Sequence, residues 1–227
     1  MSIADNLRHV RERIAAAADS AGRRADEIML VGVTKYVGPR EALELATAGC
    51  SDLGESRPQE LWTKVESLAA ETSQIRWHLI GHLQRNKLRR TLPLVSLIHS
   101  VDSERLLAAI DGEWQAHAAA QNQQLSPVRV LLEVNTSGEA AKQGLAPEAV
   151  EPLLAAAKQF PRVEICGLMT MAALEGGLDV AAKNFALLHA LADRFDLPER
   201  SMGMSGDFEV AIREGATIVR VGSALWE

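Results

Sequence analysis

A single lysine, Lys35, follows an apolar run and could form an imine (a Schiff base) with an aldehyde. The run over residues 28–34 contains Ile, Met, Leu, Val and Gly and is typical of a strand buried on both faces. Lysine is almost never fully buried without a partner or a function. An ordinary lysine at the end of a strand would extend its ammonium group into solvent, so other residues must favour a chemical role.

Two segments near the carboxyl terminus could bind a phosphate group. Ser205-Gly206 follows a short predicted strand, and Gly222-Ser223 follows another. Glycine allows close approach of the backbone, and serine hydroxyls and free N–H groups bind phosphate, although each segment could equally be an ordinary turn. An amine opposite two phosphate-binding segments suits a phosphorylated aldehyde held as an imine. Pyridoxal phosphate (PLP) is such a molecule.

A metal centre is not predicted. His78 and His82 are four residues apart, but Gly81 lies between them at a predicted strand end, and the sequence has no HExxH pattern. Glu55 is the lone acid among the residues at predicted strand ends. We therefore expect neither a metal ligand set nor metal-dependent hydrolysis.

Composition and charge favour a cytoplasmic protein. The 227 residues carry a formal net charge of −6, which argues against a general nucleic-acid binder. Cys50 and Cys166 have no disulfide or zinc spacing, which favours a reducing compartment. No apolar run approaches the ~18 residues of a membrane span. The first residues do not resemble a signal peptide.

Eight strand-like segments alternate with helix-like segments. The predicted strands cover residues 28–35, 51–54, 75–80, 94–99, 128–134, 163–169, 201–204 and 217–221. The predicted helices cover residues 2–21, 40–48, 56–70, 83–92, 104–121, 147–160, 178–195 and 208–214. Ser2 and Asp5 are spaced as a capping box, and Ser56 is predicted as an N-cap. Strict alternation indicates a parallel α/β sheet.

Eight such units predict one closed (β/α)8 TIM barrel over residues 1–227, with an extra N-terminal helix. The alternative is an open doubly wound sheet, but its GxGxxG turn is missing after the first strand. A barrel carries its site at the carboxyl ends of the strands. Besides Lys35 and the two glycine-serine segments, that edge would hold Ser56, His82, His99, Ser100, Asn135 and Thr170.

Seven stretches together resemble one known family. They are VGVTKYV (31–37), LGESRPQE (53–60), WHLIGHLQRNK (77–87), IHSVD (98–102), EVNTSGEAAKQG (133–144), GLMTM (167–171) and SMGMSGDFEVAIREGATIVRVGSA (201–224). The chain is similar here to the PLP homeostasis proteins, the YggS/PROSC family. The resemblance implies a barrel like the N-terminal domain of alanine racemase, which is PLP fold type III.

The resemblance also implies roles for particular residues. It implies PLP held covalently on Lys35 as an internal aldimine, with the phosphate near Ser205, Gly222 and Ser223 and with Arg220 facing the pyridine nitrogen. It implies intracellular PLP homeostasis, meaning buffering and delivery of PLP with effects on amino-acid and keto-acid balance. Other B6 vitamers and PLP-requiring apo-enzymes are the further partners that it suggests.

The chain departs from the family pattern in places. Ser56 stands where the family usually has an asparagine near the cofactor ring, and it remains a candidate contact of the cofactor. Pro58 replaces the usual valine, and the ending Leu225-Trp226-Glu227 replaces Phe-Gly, which we expect to be neutral. His78 is a further candidate neighbour of the cofactor.

Binding without robust turnover is the favoured activity. Arg220 is always protonated and would donate to the ring nitrogen, which leaves the ring a weak electron sink. Racemases of the alanine racemase family use as second base a tyrosine from a second domain. In this chain Tyr36 follows Lys35 directly and would point to the opposite face if the strand continued. We expect no catalytic residue and favour a monomer. A low-activity racemase, with one base or with His78 or His82, is the alternative, and a barrel without a cofactor is the plain structural alternative.

The roles of one run of basic residues and of one further lysine remain open. The run Arg85, Lys87, Arg89 and Arg90 is either a solvated helix face or a rim that attracts anions. Lys142, in a polar loop after the fifth strand, is a second candidate contact or transfer site for PLP.

Overall fold

Eight parallel strands close into a barrel in the computed structural model, which describes residues 2–69, 74–139 and 141–227. The strands are β1 (Met29–Val33), β2 (Asp52–Glu55), β3 (Arg76–Leu79), β4 (Leu97–Val101), β5 (Val128–Glu133), β6 (Val163–Met169), β7 (Glu199–Ser201) and β8 (Ile218–Val221). They follow one another in chain order around the barrel, and β8 pairs with β1. The prediction of a closed barrel is confirmed, and the open sheet is wrong.

Helices cover the outside of the barrel. They are α1 (Ile3–Ser20), α2 (Pro39–Thr47), α3 (Pro58–Ser67), α4 (Leu88–Thr91), α5 (Glu104–Gln121), α6 (Val150–Ala157), α7 (Gly177–Arg194), α8 (Phe208–Arg213) and α9 (Ser223–Trp226). Short 3₁₀ segments lie at Ala25–Glu27, Arg85–Lys87, Leu92–Leu94 and Pro147–Ala149. In the described ranges, no helix combines the length and the apolar character needed to cross a membrane.

The extra N-terminal helix begins with the predicted capping box. The Ser2 hydroxyl accepts the Asp5 N–H at 3.1 Å, and the Asp5 carboxyl faces the Ser2 N–H at 3.4 Å. The apolar side of α1 packs against α8 and α9. The Asn6 side chain donates to the Leu225 carbonyl at 3.2 Å, which attaches this helix to the last turn of the chain.

Apolar side chains form two separate cores. The larger core fills the layer between the strands and the helices. The smaller core contains no helical residue and draws its members from β1, β4, β5, β6 and β8, so it lies inside the barrel. Its buried members are Val31, Leu97, Leu131, Cys166, Met169 and Ile218.

Several element boundaries differ from the predictions. Because β1 ends at Val33, Lys35 lies in the turn beyond the strand. Because the 3₁₀ segment Leu92–Leu94 contains a proline, β4 begins only at Leu97, and His99 is buried in mid-strand rather than at the strand end. The predicted N-cap at Ser56 is wrong: α3 begins at Pro58, and Arg57 occupies the cap position without a side-chain hydrogen bond. The predicted end of that helix near Ala70 lies outside the described residues.

Candidate functional site

A cavity of about 480 Å³ lies at the carboxyl ends of β1 and β8 and beside the loop after β7. This is the end of a (β/α)8 barrel where sites are built. Its lining residues are Val33, Lys35, Tyr36, Val37, Met204, Ser205, Gly206, Arg220, Gly222, Ser223, Trp226 and Glu227. The structure therefore brings together Lys35, from the stretch 31–37, and four residues from the stretch 201–224, namely Ser205, Arg220, Gly222 and Ser223.

Lys35 reaches this cavity from the turn after β1. Its side chain is exposed, and its Nζ lies 4.9 Å from the centroid of the Tyr36 ring. The strand does not continue to Tyr36, so the condition under which its side chain would point away from Lys35 is not met. Both side chains approach the cavity from the same wall.

A buried ion pair lies behind the Lys35 turn. The Lys64 ammonium pairs with the Glu55 carboxylate and donates to the Thr34 carbonyl at 2.7 Å. The Thr34 hydroxyl donates to Glu55 at 3.2 Å, and the second Glu55 oxygen accepts the Ser56 N–H at 2.7 Å. One carboxylate thus connects the ends of β1 and β2. The sequence reasoning missed Lys64, although its helical spacing with Leu61 and Leu68 places it on the buried face of α3.

The loops after β7 and β8 meet at the candidate phosphate site. The Gly222 N–H donates to the Ser205 hydroxyl at 3.1 Å. Within the described residues, the main-chain N–H groups of Ser205, Gly206 and Ser223 face no protein acceptor. A side-chain carbon added at Gly206 would meet nothing within 4 Å, so the loop leaves open space beside these donors.

Arg220 is the buried cation of the cavity. One Nη donates to the Ser201 hydroxyl at 2.6 Å, and the other donates to the Thr170 carbonyl at 2.9 Å. Burial lowers the pKa of Arg220 to about 10, although Asp207 and Glu133 oppose the shift. Burial also raises the pKa of both of those carboxyl groups. Arg220 remains protonated at neutral pH, so it can only donate.

Two predicted cofactor neighbours lie elsewhere. Ser56 is half-buried after β2, and His78 is buried within β3, where its ring contacts Asp52 and His99. Among the described residues, the lining of the cavity includes neither of them. Their contact with a cofactor stays a prediction.

Three of the remaining basic candidates, Lys142, Lys87 and Arg90, have protein partners. The Lys142 ammonium donates to the Ala172 carbonyl at 2.6 Å and lies 3.2 Å from Glu139. In the basic run, Arg90 pairs with Glu66 and stacks on Trp62 at 4.4 Å. Lys87 lies 5.5 Å from the same ring. This part of the run packs against α3, whereas Arg85 and Arg89 are exposed.

The chemistry of the lining fits a phosphorylated aromatic aldehyde. Lys35 offers an amine, Ser205 and Ser223 offer hydroxyls beside unpaired N–H groups, and Arg220 offers a fixed donor. Apolar side chains, Val33 and Trp226 among them, form the walls for a flat ring. The sequence reasoning missed Trp226, whose indole N–H donates to the Val33 carbonyl at 2.8 Å.

Comparison with known proteins agrees with this geometry. Residues 4–227 match the family model for the alanine racemase N-terminal domain. The PLP homeostasis protein of Aquifex aeolicus is 39% identical over 233 residues, covering 100% of this chain and 98% of that protein. The chain belongs to the PLP homeostasis protein family.

Two further relatives show how far the likeness extends. The homeostasis protein of Pseudomonas aeruginosa is 38% identical over 229 residues, covering 99% of this chain and 95% of that protein. The solved structure of PipY from Synechococcus elongatus with PLP bound is 29% identical and has a TM-score of 0.83, covering 100% of both chains. The resemblance found in the sequence is confirmed.

Proposed function

We propose that this protein binds PLP reversibly on Lys35 and takes part in PLP homeostasis by buffering and delivering the cofactor. The observation that carries the proposal is the cavity in which Lys35 joins Ser205, Gly222, Ser223 and Arg220. The names of the relatives and the PLP held by PipY support it.

Five residues of the cavity have proposed roles. PLP supplies an aldehyde and an electron-withdrawing ring when it is bound. The Lys35 amine would hold PLP through its aldehyde carbon, whose oxygen would leave as water. The Ser205 and Ser223 hydroxyls and the Gly222 loop would bind the phosphate, and Arg220 would donate to the ring nitrogen. Ser56 and His78 are proposed as neighbours of the ring rather than as phosphate ligands.

Arg220 favours a carrier over a catalyst. Its guanidinium has no lone pair to accept with and keeps its own proton, so it leaves the ring nitrogen unprotonated. Lys35 and Tyr36 approach from one wall and would not supply two bases on opposite sides of a substrate. We therefore propose binding without robust turnover and assign no catalytic residue.

A weak amino-acid racemase is the second candidate. The Lys35 amine, which is exposed at the cavity and can act as a single base, is the observation that favours it. Incubation of the PLP-loaded protein with D- or L-alanine, followed by optical rotation, separates the two candidates. Sustained interconversion of the enantiomers would replace the carrier proposal with the racemase.

Absorbance spectroscopy tests the binding proposal. We expect wild-type protein incubated with PLP to show a new band that is absent in Lys35→Ala. Borohydride reduction and peptide mapping should then find the label on Lys35. Lys142→Ala is the matched control and should keep the band, because its ammonium is held by Ala172 and Glu139. No band in the wild type, or a label on Lys142 alone, would contradict the proposal.

The domain organisation, the oligomeric state, the location and the partners are also proposals. We propose one domain over residues 1–227, acting as a monomer in the cytoplasm, with PLP-requiring apo-enzymes as recipients and other B6 vitamers as further ligands. Two buried free thiols support a reducing compartment. Burial raises the pKa of Cys50 and of Cys166 to about 11, so both are thiols rather than thiolates at neutral pH.

A further inference from the structure

A continuous chain of hydrogen bonds crosses the interior of the barrel and ends at the cofactor cavity. Asp52 lies 3.1 Å from His78 Nε2, and His78 Nδ1 lies 3.0 Å from His99 Nε2. His99 Nδ1 lies 2.9 Å from the Ser201 hydroxyl, which accepts from Arg220 at 2.6 Å. Because β4 and β7 are not neighbours in the barrel, the bond from His99 to Ser201 crosses its interior.

The links from His78 to Arg220 are shielded from water, whereas Asp52 at the far end also pairs with the exposed Arg76. His78 is 2% exposed, His99 and Ser201 are 0% exposed, and Arg220 is 4% exposed. Hydrogen bonds in such surroundings are strong, and a broken link leaves a buried polar group unpaired. The middle of the chain therefore has no solvent to compensate for a lost partner.

The two ends of the chain fix the direction in which hydrogens are donated. Arginine has donors only, and an ionised carboxylate has acceptors only. One arrangement gives every donated hydrogen an acceptor. In it Arg220 donates to the Ser201 hydroxyl, and Ser201 donates to His99 Nδ1. His99 Nε2 then donates to His78 Nδ1, and His78 Nε2 donates to Asp52. If His78 instead donated to His99, the Ser201 hydroxyl hydrogen would face no acceptor among the described residues. In this arrangement each imidazole donates from Nε2 and accepts on Nδ1.

We propose that Asp52, His78, His99 and Ser201 are positioning residues that hold the Arg220 guanidinium towards the cofactor cavity through this one-directional chain. Ser201 and the Thr170 carbonyl each take one N–H of the guanidinium. Its other N–H groups are available to the cavity that Arg220 lines. Asp52, the first residue of β2, is thereby linked to the opposite end of the barrel.

This proposal rests on the role given above to Arg220 at the ring nitrogen. Its first test needs no cofactor. Long-range ¹H–¹⁵N spectra of the imidazoles in the PLP-free protein should show His78 and His99 as Nε2–H tautomers. Asp52→Leu removes the terminal acceptor and should change the His78 tautomer, whereas Asp52→Asn keeps an acceptor oxygen and should preserve it. A doubly protonated His78, or shifts of both imidazoles unchanged in Asp52→Leu, would overturn the chain.

The second test reads the effect at the cofactor. Ser201→Ala removes the acceptor of Arg220 and should raise the Kd for PLP about tenfold, the factor expected for one lost hydrogen bond to a charged group. It should also shift the absorption maximum of bound PLP. Ser201→Thr restores the hydroxyl and should restore both readouts. Ser100→Ala is the matched control, since that buried hydroxyl donates to the Gly81 carbonyl at 2.7 Å, outside the chain.

An unchanged Kd and absorption maximum in Ser201→Ala would overturn the positioning role. The two proposals fail in different ways. If wild-type protein forms no adduct with PLP, the proposed function is wrong, and the imidazole spectra of the PLP-free protein still decide whether the chain exists.

Discussion

The Lys64 ammonium donates to the main-chain carbonyl of Thr34 at 2.7 Å, one residue before Lys35. The same ammonium pairs with Glu55, and both side chains are almost fully buried. An ion pair in such surroundings contributes little net stability, but removal of one partner leaves a buried charge uncompensated. The pair is therefore placed to fix the backbone that presents Lys35.

Replacement of Lys64 by methionine should destabilise the protein strongly. Lys64→Met leaves the Glu55 carboxylate without its cation, so we expect the free energy of unfolding to fall by about 3–5 kcal/mol in urea titrations. The double variant Lys64→Met/Glu55→Gln should lose less than the sum of its single variants, because no buried charge remains. Lys183→Met, on the exposed side of α7, is the control and should change stability little. A loss in Lys64→Met no larger than in this control would contradict the role of the pair.

Two glycines give opposite predictions for substitution by alanine. A side-chain carbon at Gly81 would lie 2.2 Å from the Ser56 carbonyl, so Gly81→Ala should cost about 3 kcal/mol by forcing the loops after β2 and β3 apart. Gly112 lies in the exposed interior of α5 with nothing within 4 Å. Gly112→Ala should stabilise the protein by about 1 kcal/mol. Thermal unfolding of both variants checks the contrast, and equal effects would contradict it.

Long apolar runs and strict alternation were sufficient to predict the barrel. The apolar runs over residues 128–134 and 163–169 predicted strands whose observed bounds differ by at most one residue. β4 was placed too early because Leu94 and Val95 continue the apolar pattern, whereas Pro93 turns the chain into a 3₁₀ segment. Local pattern identifies a strand more reliably than it identifies the residue where the strand begins.

Stability should decrease between pH 7 and pH 5.5 because of His99. Burial, with smaller effects from His78 and Arg220, holds the pKa of His99 well below its ordinary value of 6.5. The unfolded chain therefore binds a proton in this range that the folded protein does not bind, and stability is lost as the pH falls. We expect a loss of about 1 kcal/mol in urea titrations at the two pH values. The stability of His99→Gln should depend less on pH. His9 is an exposed residue of α1, so the stability of His9→Gln should depend on pH as in the wild type. A pH dependence that survives in His99→Gln would assign it to another group.

Trp226 should report the arrival of the cofactor. Its indole N–H donates to Val33 at 2.8 Å, and its ring lines the cavity. PLP bound there should quench its fluorescence, and Trp226→Phe should lose most of that quenching. Trp114→Phe, on α5 and away from the cavity lining, should keep the quenching. Quenching that follows Trp114 instead would place the ligand at another surface.

The selected site residues were more predictable than their partners. Lys35, Ser205 and Gly222 follow strands in the sequence, and in a barrel strand ends meet at one edge. The contact between His99 and Ser201 joins residues 102 positions apart in the chain, and it depends on the relative register of strands that are not neighbours. Sequence pattern gives the face on which a side chain lies but not the height at which two distant strands align.

The polar chain inside the barrel also bears on the fidelity of assembly. Its five side chains come from β2, β3, β4, β7 and β8. Each must lie at its own specific position along the barrel axis to meet the next. A slip of one residue in any of these strands would turn its polar side chain from the interior towards the helices and leave a neighbour unpaired. An interior built only of Val, Leu and Ile would tolerate such a slip more easily. The residues that orient Arg220 thus also discriminate against misaligned barrels while the protein folds.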